Sequence, residues 1–224
     1  MPMGRPIETD IYRLRFSPEE LRAQRELWQP ICRFLQNYVA CDGVTLDLGA
    51  GPCHFINQIE SRRKLALDLN EENLARYAAP EVEKIVADGT GLPQLADASV
   101  DTIFASNVYE HFRSREDVAH SLSEALRVLR PGGRMIILQP NFAYCAKHYF
   151  DFFDHRLIFT DRSMAEILEI SRFAIEWIVP KFLPFTTKSR IPQSPWLVAL
   201  YLKTPLMWRI LGAQMLIIAR KPTA

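Results

Sequence analysis

The sequence predicts a single α/β domain built on a mostly parallel sheet with helices on both faces, and three observations carry that prediction. Strand-like and helix-like stretches alternate from residue 44 to residue 139, as parallel strands require, because each return crossover needs a covering helix. The run Val44-Thr45-Leu46-Asp47-Leu48-Gly49-Ala50-Gly51 brings an apolar strand to a turn with two glycines spaced one apart, and open α/β sheets bind nucleotide-like ligands at such a strand end. With 224 residues, 48% of them hydrophobic, the chain can bury one sizeable core but not two independent enzymes.

Residues 1–16 alternate Arg with apolar residues (Tyr12, Arg13, Leu14, Arg15, Phe16) without a strong period, which suggests an arm lying over the domain. Ser17-Pro18-Glu19-Glu20 then opens a helix, with Ser17 as cap, Pro18 at the first helical position and Glu20 closing a capping box. Leu21, Trp28, Ile31, Phe34, Leu35 and Tyr38 give it an apolar face that must be covered, on the sheet edge or as a lid. Strands are expected at 44–48, 64–68, 84–87, 100–105 and 133–139, with helices at 54–61, 71–79 and 114–129. Gly132-Gly133 reads as the end of that last helix. Beyond Pro140 aromatic residues crowd into Asn141–Phe159, a helix starts near Asp161, and Phe173–Val179 reads as a strand. Pro180–Pro195 reads as a loop, Trp196–Leu211 as an apolar helix interrupted at Pro205, and Gln214–Ala219 as a final buried strand. The domain thus divides into an arm and helix (1–40), a ligand-binding core (41–140) and a substrate-covering insertion with the last strands (141–224).

Lys and Arg number 27 against 26 Asp and Glu, a net charge of +1, so no global field recruits nucleic acid and no DNA partner is expected. Cys32, Cys41, Cys53 and Cys145 lack zinc-type spacing, Met1–Thr9 lacks the apolar core of a signal peptide, and no run of ~18 apolar residues occurs. Free thiols, a reducing cytoplasm and no metal site are the expectations.

Four strand ends carry the chemistry. A dinucleotide site would place a third glycine at 54 and an apolar residue at 47, where this chain has His54 and Asp47; an acid at 47 suits a ligand with an ammonium group. Asp68, at the end of Leu65-Ala66-Leu67-Asp68, stands where a carboxylate accepts from ribose hydroxyls, and Asp88-Gly89 follows the third strand, facing an exocyclic amine. Ser106-Asn107 ends the fourth strand, beside the first, where the sheet order should reverse. Together they describe a nucleoside with a charged amino-acid tail. Singly, Asp47 and Asp68 are also ordinary turn formers or helix caps.

The runs Leu46-Asp47-Leu48-Gly49-Ala50-Gly51-Pro52, Ala87-Asp88-Gly89, Leu92-Pro93, Ser99-Val100-Asp101, Ser106-Asn107-Val108-Tyr109-Glu110-His111 and Arg127-Val128-Leu129-Arg130-Pro131-Gly132-Gly133 resemble, in order, the class I S-adenosylmethionine-dependent methyltransferases of the small-molecule type 11 group. The resemblance covers roughly residues 41–140. It implies a Rossmann-like seven-stranded, mostly parallel sheet with an antiparallel final strand, and S-adenosyl-L-methionine as cofactor with S-adenosyl-L-homocysteine as product. It also implies that Gly49, Ala50 and Gly51 contact the cofactor, Asp47 supports its methionine end, Asp68 holds the ribose with Leu69 beside it, Asp88 and Gly89 read the adenine, and Ser106 and Asn107 meet the polar tail. Cys53 departs from the family, which usually has a third glycine there, and is expected to crowd the methionine side.

The cofactor's sulfonium is already activated, so the protein's task is to align a nucleophile with the methyl group and remove any proton. His155, His148 and His111 are the candidate bases; the first two lie in the aromatic insertion with Tyr144, Tyr149, Phe152, Phe153 and Asp154. Tyr109-Glu110-His111 also resembles a helix-start element, and the insertion equally reads as packing. The acceptor is expected to be a small molecule or lipid- or glycan-linked. Tyr149–Ser171 with Thr186-Thr187-Lys188-Ser189-Arg190 also resembles bacterial methyltransferases of cell-envelope or polysaccharide biosynthesis, and natural-product biosynthesis is the other setting considered. An RNA or protein methyltransferase and a non-catalytic S-adenosylmethionine-binding module are the rivals; Asp47 and His54 disfavour a nicotinamide oxidoreductase. Residues 196–211 combine apolar and aromatic side chains with Lys203 and Arg209, which fits burial, a homodimer contact or a peripheral membrane surface.

Overall fold

The structure, a computed structural model, describes residue 11, residues 14–185 and residues 194–223. The arm residues before 14, apart from residue 11, and the stretch Thr186–Arg190 lie outside the described residues. Seven strands form one sheet: β1 (Val44–Leu48), β2 (Arg63–Asp68), β3 (Val82–Val86), β4 (Val100–Ser106), β5 (Leu129–Pro140), β6 (Ala174–Val179) and β7 (Gln214–Arg220), in the spatial order β3-β2-β1-β4-β5-β7-β6. β1 pairs in parallel with β2 on one side and β4 on the other, so the order reverses between β1 and β4, as expected. β7 runs antiparallel to both neighbours, β5 and β6.

The helices are α1 (Pro18–Leu35), α2 (Glu71–Tyr77), α3 (Arg115–Val128), α4 (Phe142–Tyr149), α5 (Asp161–Ile170), α6 (Pro195–Leu202) and α7 (Pro205–Leu211). α1 begins with the predicted reciprocal cap: the Glu20 amide donates to Ser17 Oγ at 3.2 Å and the Ser17 amide to Glu20 Oε2 at 2.7 Å. The period-2 pleat splits the core into two layers. Ile103, Ala105, Met135 and Ile137 face α3 and α5, meeting Val118, Leu122, Met164 and Leu168. Phe104, Ile136, Leu138 and Ile218 face the other way, under Ile31, Leu35, Phe55, Leu74, Leu202 and Trp208. Each fully buried Leu, Ile, Phe or Met among them contributes about 1.5–3 kcal/mol, and both layers are needed because a parallel sheet has no face to spare for water. α1 therefore packs over the sheet with α6, its Phe34 ring 5.9 Å from Trp208 and edge-on to it.

Two expectations need correction. Residues 51–58 are a run of turns and not a regular helix. Cys53 sits at φ +57°, and only mixed bonds follow: the Asn57 amide to Cys53 O at 3.2 Å, Gln58 to Phe55 O at 2.9 Å, and Ile59 to Phe55 O at 3.2 Å. The segment is pinned by tertiary contacts, Asn57 Nδ2 donating to Tyr77 O and Asn57 Oδ1 accepting from the Ala79 amide. Nor does Gly132-Gly133 end a helix. α3 stops at Val128, and the glycines lie within β5, where its pairing with β4 shifts from Val100↔Leu129 to Thr102↔Arg134. Gly132, at φ +81°, supplies the bend. The 196–211 stretch is half buried: Leu202 and Trp208 are covered, whereas Trp196, Leu206 and Ile210 are 69%, 66% and 61% exposed. Among the described residues, no helix is long and apolar enough to cross a membrane.

Candidate cofactor and acceptor site

The glycine turn hangs from the neighbouring strand. After β1, the Gly49 and Ala50 amides both donate to Leu67 O, at 2.8 and 2.9 Å, and the Gly51 amide donates to Asp68 Oδ2 at 2.7 Å. The other oxygen of Asp68 accepts from the Asn70 amide at 2.8 Å, so one carboxylate fastens the first turn to the second. Burial raises its pKa above the usual carboxylate range against the pull of those two amides. Gly49 and Gly51 are both left-handed, at φ +71° and +49°. A Cβ on Gly49 would lie 2.4 Å from Val108 Cγ2, whereas a Cβ on Gly51 would meet nothing within 4 Å. Packing therefore demands glycine at 49; at 51 the backbone is bare toward open space, as a cradle for a ligand requires.

Asp47 is 3% exposed and lies beneath this turn rather than on its open surface. It accepts from the Ile56 amide, and burial, with Asp68 nearby, pushes its pKa up to about 8. The remaining predicted residues line the carboxyl ends of adjacent strands. Leu69 is 51% exposed. Asp88 accepts from the Thr90 hydroxyl at 2.6 Å, which holds its carboxyl below the usual range and anchors the loop at Gly89. Ser121 Oγ donates to Gly89 O at 2.7 Å from α3. Asn107, exposed and left-handed at φ +51°, ties its amide to Leu138 O, with Ser106 Oγ accepting from its side chain. Gly51, Asp68, Leu69, Asp88 and Asn107 thus follow β1, β2, β3 and β4 on one edge, spanning the reversal point. That rim, with a bare glycine backbone and an acid after β2, fits S-adenosylmethionine.

Cys53 does not crowd the methionine side as expected. It is 0% exposed, packed in the layer with Phe55 and Ile56, with its thiol 3.7 Å from Gly51 O. Burial raises the thiol pKa to about 12, so it is no nucleophile.

Beside this rim lies a second cluster, joined to it by Val108, which packs on Gly49 and immediately precedes Tyr109-Glu110-His111. His111 Nδ1 lies 3.0 Å from Asp154 O; a carbonyl only accepts, so this nitrogen donates. Arg15 grips the Asp154 carboxylate at 2.6 and 3.3 Å while its guanidinium lies 4.8 Å over the Phe152 ring. Burial would raise the Asp154 carboxyl, but the Arg15 hydrogen bond and His111 outweigh it and hold it below the usual range. His155 stacks on Phe152 with centroids 5.0 Å apart, and its ring is 5.2 Å from that of His111. Burial, helped by His111, drops its pKa to about 4, so it is neutral at physiological pH. His148 is separate: its exposed ring lies 3.0 Å from Asp151, in the turn that follows α4.

Sequence reasoning passed over Glu110 and the Arg15–Asp154 pair as functional groups. Glu110 is 0% exposed and neither carboxylate oxygen has a hydrogen-bond partner, while its backbone oxygen accepts from the Arg156 and Leu157 amides at 2.8 and 3.0 Å. The one available signal was an acid beside a histidine at a strand end. Arg15 and Asp154 stand 139 residues apart and carry no local mark.

A family model described as a methyltransferase domain matches residues 46–137. A malonyl-[acyl-carrier protein] O-methyltransferase of Methylococcus capsulatus is 35% identical over 121 residues, covering 50% of this chain and 42% of that protein. A trans-aconitate 2-methyltransferase of Azoarcus is 36% identical over 143 residues, 60% of this chain and 51% of its own. The chain therefore spans about half the length of these curated relatives or less. A SAM-dependent methyltransferase from Archaeoglobus fulgidus shares the fold, with a TM-score of 0.68 at 20% identity over 91% of this chain and 97% of that one. Motif order, sheet topology and these likenesses agree: residues 46–137 match the methyltransferase-domain family, and the sheet has the fold of S-adenosylmethionine-dependent methyltransferases.

Proposed function

We propose that this chain transfers a methyl group from S-adenosylmethionine to an oxygen of a small-molecule or lipid-, glycan- or carrier-linked acceptor. The observation that carries the reading is the joining, through Val108, of the cofactor rim to the Glu110–His111–His155 cluster on one sheet edge. The cofactor supplies an activated methyl group. The chain's residues have to bind it, orient the acceptor and manage the acceptor's ionisable oxygen, and that cluster with its aromatic wall is what stands there to do so. The relative named an O-methyltransferase supports oxygen as the nucleophile. The nearly balanced charge, +1, favours a small acceptor over RNA.

Calorimetry with S-adenosylmethionine, S-adenosylhomocysteine and NAD tests the cofactor half. Both sulfur ligands should bind and NAD should not; binding of NAD alone would overturn the reading. Transfer of labelled methyl to a panel of carboxylic acids, phenols and lipid-linked sugars tests the other half, with His155→Ala losing turnover while retaining cofactor affinity. Cofactor binding with no transfer to any acceptor would instead favour the non-catalytic module.

A lipid-linked acceptor is favoured by one further observation. Trp196, Leu206 and Ile210 are exposed on α6 and α7 beside Lys203 and Arg209, a composition suited to an anionic interface and to peripheral attachment of a cytoplasmic enzyme. Anionic vesicles at low salt should co-sediment the protein. A dimeric mass in solution without co-sedimentation would assign the face to a second copy.

A further inference from the structure

Glu110 poses a problem that the methyl-transfer reading leaves open. Glu110 is 0% exposed, neither carboxylate oxygen is hydrogen-bonded to another residue, and burial favours its protonated form unless a positive charge pairs with it. Two imidazoles stand next to it. One ligand-capable atom from each of Glu110, His111 and His155 lies within 4.8 Å of the others. A tetrahedral site with bonds of about 2.0–2.2 Å has ligand atoms roughly 3.3–3.6 Å apart, so side-chain adjustments of about 1 Å would close it. The outer contacts are already those of a metal site. The Nδ1–H of His111 donates to Asp154 O at 3.0 Å, an outer contact that would leave Nε2 to an ion, and Arg15 holds Asp154 in place. His155 has a buried Nδ1 with no partner.

We infer that Glu110, His111 and His155 bind a divalent transition-metal cation of the zinc class, leaving a coordination position toward the acceptor. Two imidazoles and one carboxylate are a donor set for zinc, cobalt, manganese or ferrous iron and not for calcium or magnesium. The cation answers the Glu110 problem by supplying the missing positive partner. Its use in the reaction rests on the methyl-transfer proposal: it would bind the acceptor oxygen as an oxyanion, the acceptor's proton having passed to water. The new oxygen–methyl bond would then form as the sulfur–methyl bond breaks, both electrons of the latter staying on sulfur. Its existence does not rest on that proposal.

The test is metal binding by the full chain after dialysis against chelator. Zinc stoichiometry by elemental analysis and the visible ligand-field absorption of added cobalt should both show one ion per chain in a low-coordinate site. Glu110→Gln and His155→Ala should each weaken zinc binding by more than the ~10–100-fold that loss of an outer-shell partner costs. His148→Ala, which alters only a surface histidine, should leave zinc affinity unchanged. Saturating zinc should raise the melting temperature of the wild type but not of Glu110→Gln, with far-UV circular dichroism confirming that each variant is folded. A wild type that takes up no more zinc than Glu110→Gln overturns the inference, as does equal loss in His148→Ala. Cofactor calorimetry on the same samples separates the two proposals: zinc bound without S-adenosylmethionine leaves the metal site standing and the methyl-transfer reading refuted.

Discussion

Gly49 and Gly51 are two residues apart, share a left-handed backbone and should fail differently when replaced by alanine. At Gly51, φ is +49° and a Cβ meets nothing within 4 Å, so the stability cost is conformational only. Left-handed geometry costs an L residue about 1–2 kcal/mol, and the smaller unfolded-state entropy of alanine returns about 0.4–1 kcal/mol, leaving a loss of about 1 kcal/mol. At Gly49 the same strain is joined by a Cβ 2.4 Å from Val108 Cγ2, and overpacking of this kind adds about 1–3 kcal/mol. Gly49→Ala should therefore lose about 3 kcal/mol in total, equivalent to a fall in Tm of roughly 6–12 °C for a chain of this size. Val108→Ala placed in the same chain should recover the steric part but not the strain. Affinity should sort the pair the opposite way relative to stability: if Gly51 cradles the cofactor, its Cβ would enter that space, so Gly51→Ala should weaken S-adenosylhomocysteine by tenfold or more, ~1.4 kcal/mol, despite its mild folding defect. Urea unfolding and calorimetry on both variants measure the two quantities. Full affinity in Gly51→Ala, or equal stability loss in the two variants, would refute the assignment of Gly51 to the cofactor and Gly49 to packing.

Cys53→Gly relieves a left-handed residue at φ +57° but deletes a buried side chain, two terms of about 1 kcal/mol each, so stability should change little. Cofactor affinity should stay the same, because the sulfur occupies core space; a tenfold loss by calorimetry would contradict that placement. Asp47, its pKa raised to about 8 against an ordinary carboxylate in the unfolded chain, keeps its proton in the native state while the unfolded chain has lost it. Its contribution is full below pH ~4 and declines as pH rises toward about 8. Asp47→Asn should therefore be stabilising by urea unfolding at pH 8.5 relative to wild type and give little gain at pH 4; the reverse order would show that the carboxylate is charged and paired. Arg15→Ala removes two hydrogen bonds to a largely buried Asp154. It should cost about 1.5–3 kcal/mol and lower methyl transfer without altering S-adenosylhomocysteine binding. His155, neutral until about pH 4 when folded but protonated near 6.5 when unfolded, lowers stability as pH falls through that window; His155→Gln should flatten the acid limb of the stability profile.

What was legible in the sequence is what depends on neighbours a few residues away. β1, the start of α1 with its capping box, α3 and β7 fall within a residue or two of where they are expected, because side-chain alternation, helical period and caps are local properties. The glycine turn and the acid after β2 were legible for the same reason, each being a strand end with a marked residue. The order of the sheet and the reversal at β7 came from family likeness, since periodicity does not say which strands pair.

Tertiary structure decided the rest. The 51–58 segment carries helical apolar spacing, yet it is held as turns by Asn57's bonds to residues 77 and 79 and by a left-handed Cys53. At Cys53 the sequence shows that a Cβ exists but not which way it points. Sequence offers His155 and His148 as bases, with His111 a further candidate in what also resembles a helix-start element. Folding sends His148 to the surface and sets His111 and His155, 44 residues apart in the chain, beside a buried Glu110. Asp47, Gly49 and Gly51 follow from local chemistry at the end of one strand. The Arg15–Asp154–His111 chain and the unpartnered carboxylate beside it exist only because parallel crossovers bring distant segments to the same sheet edge.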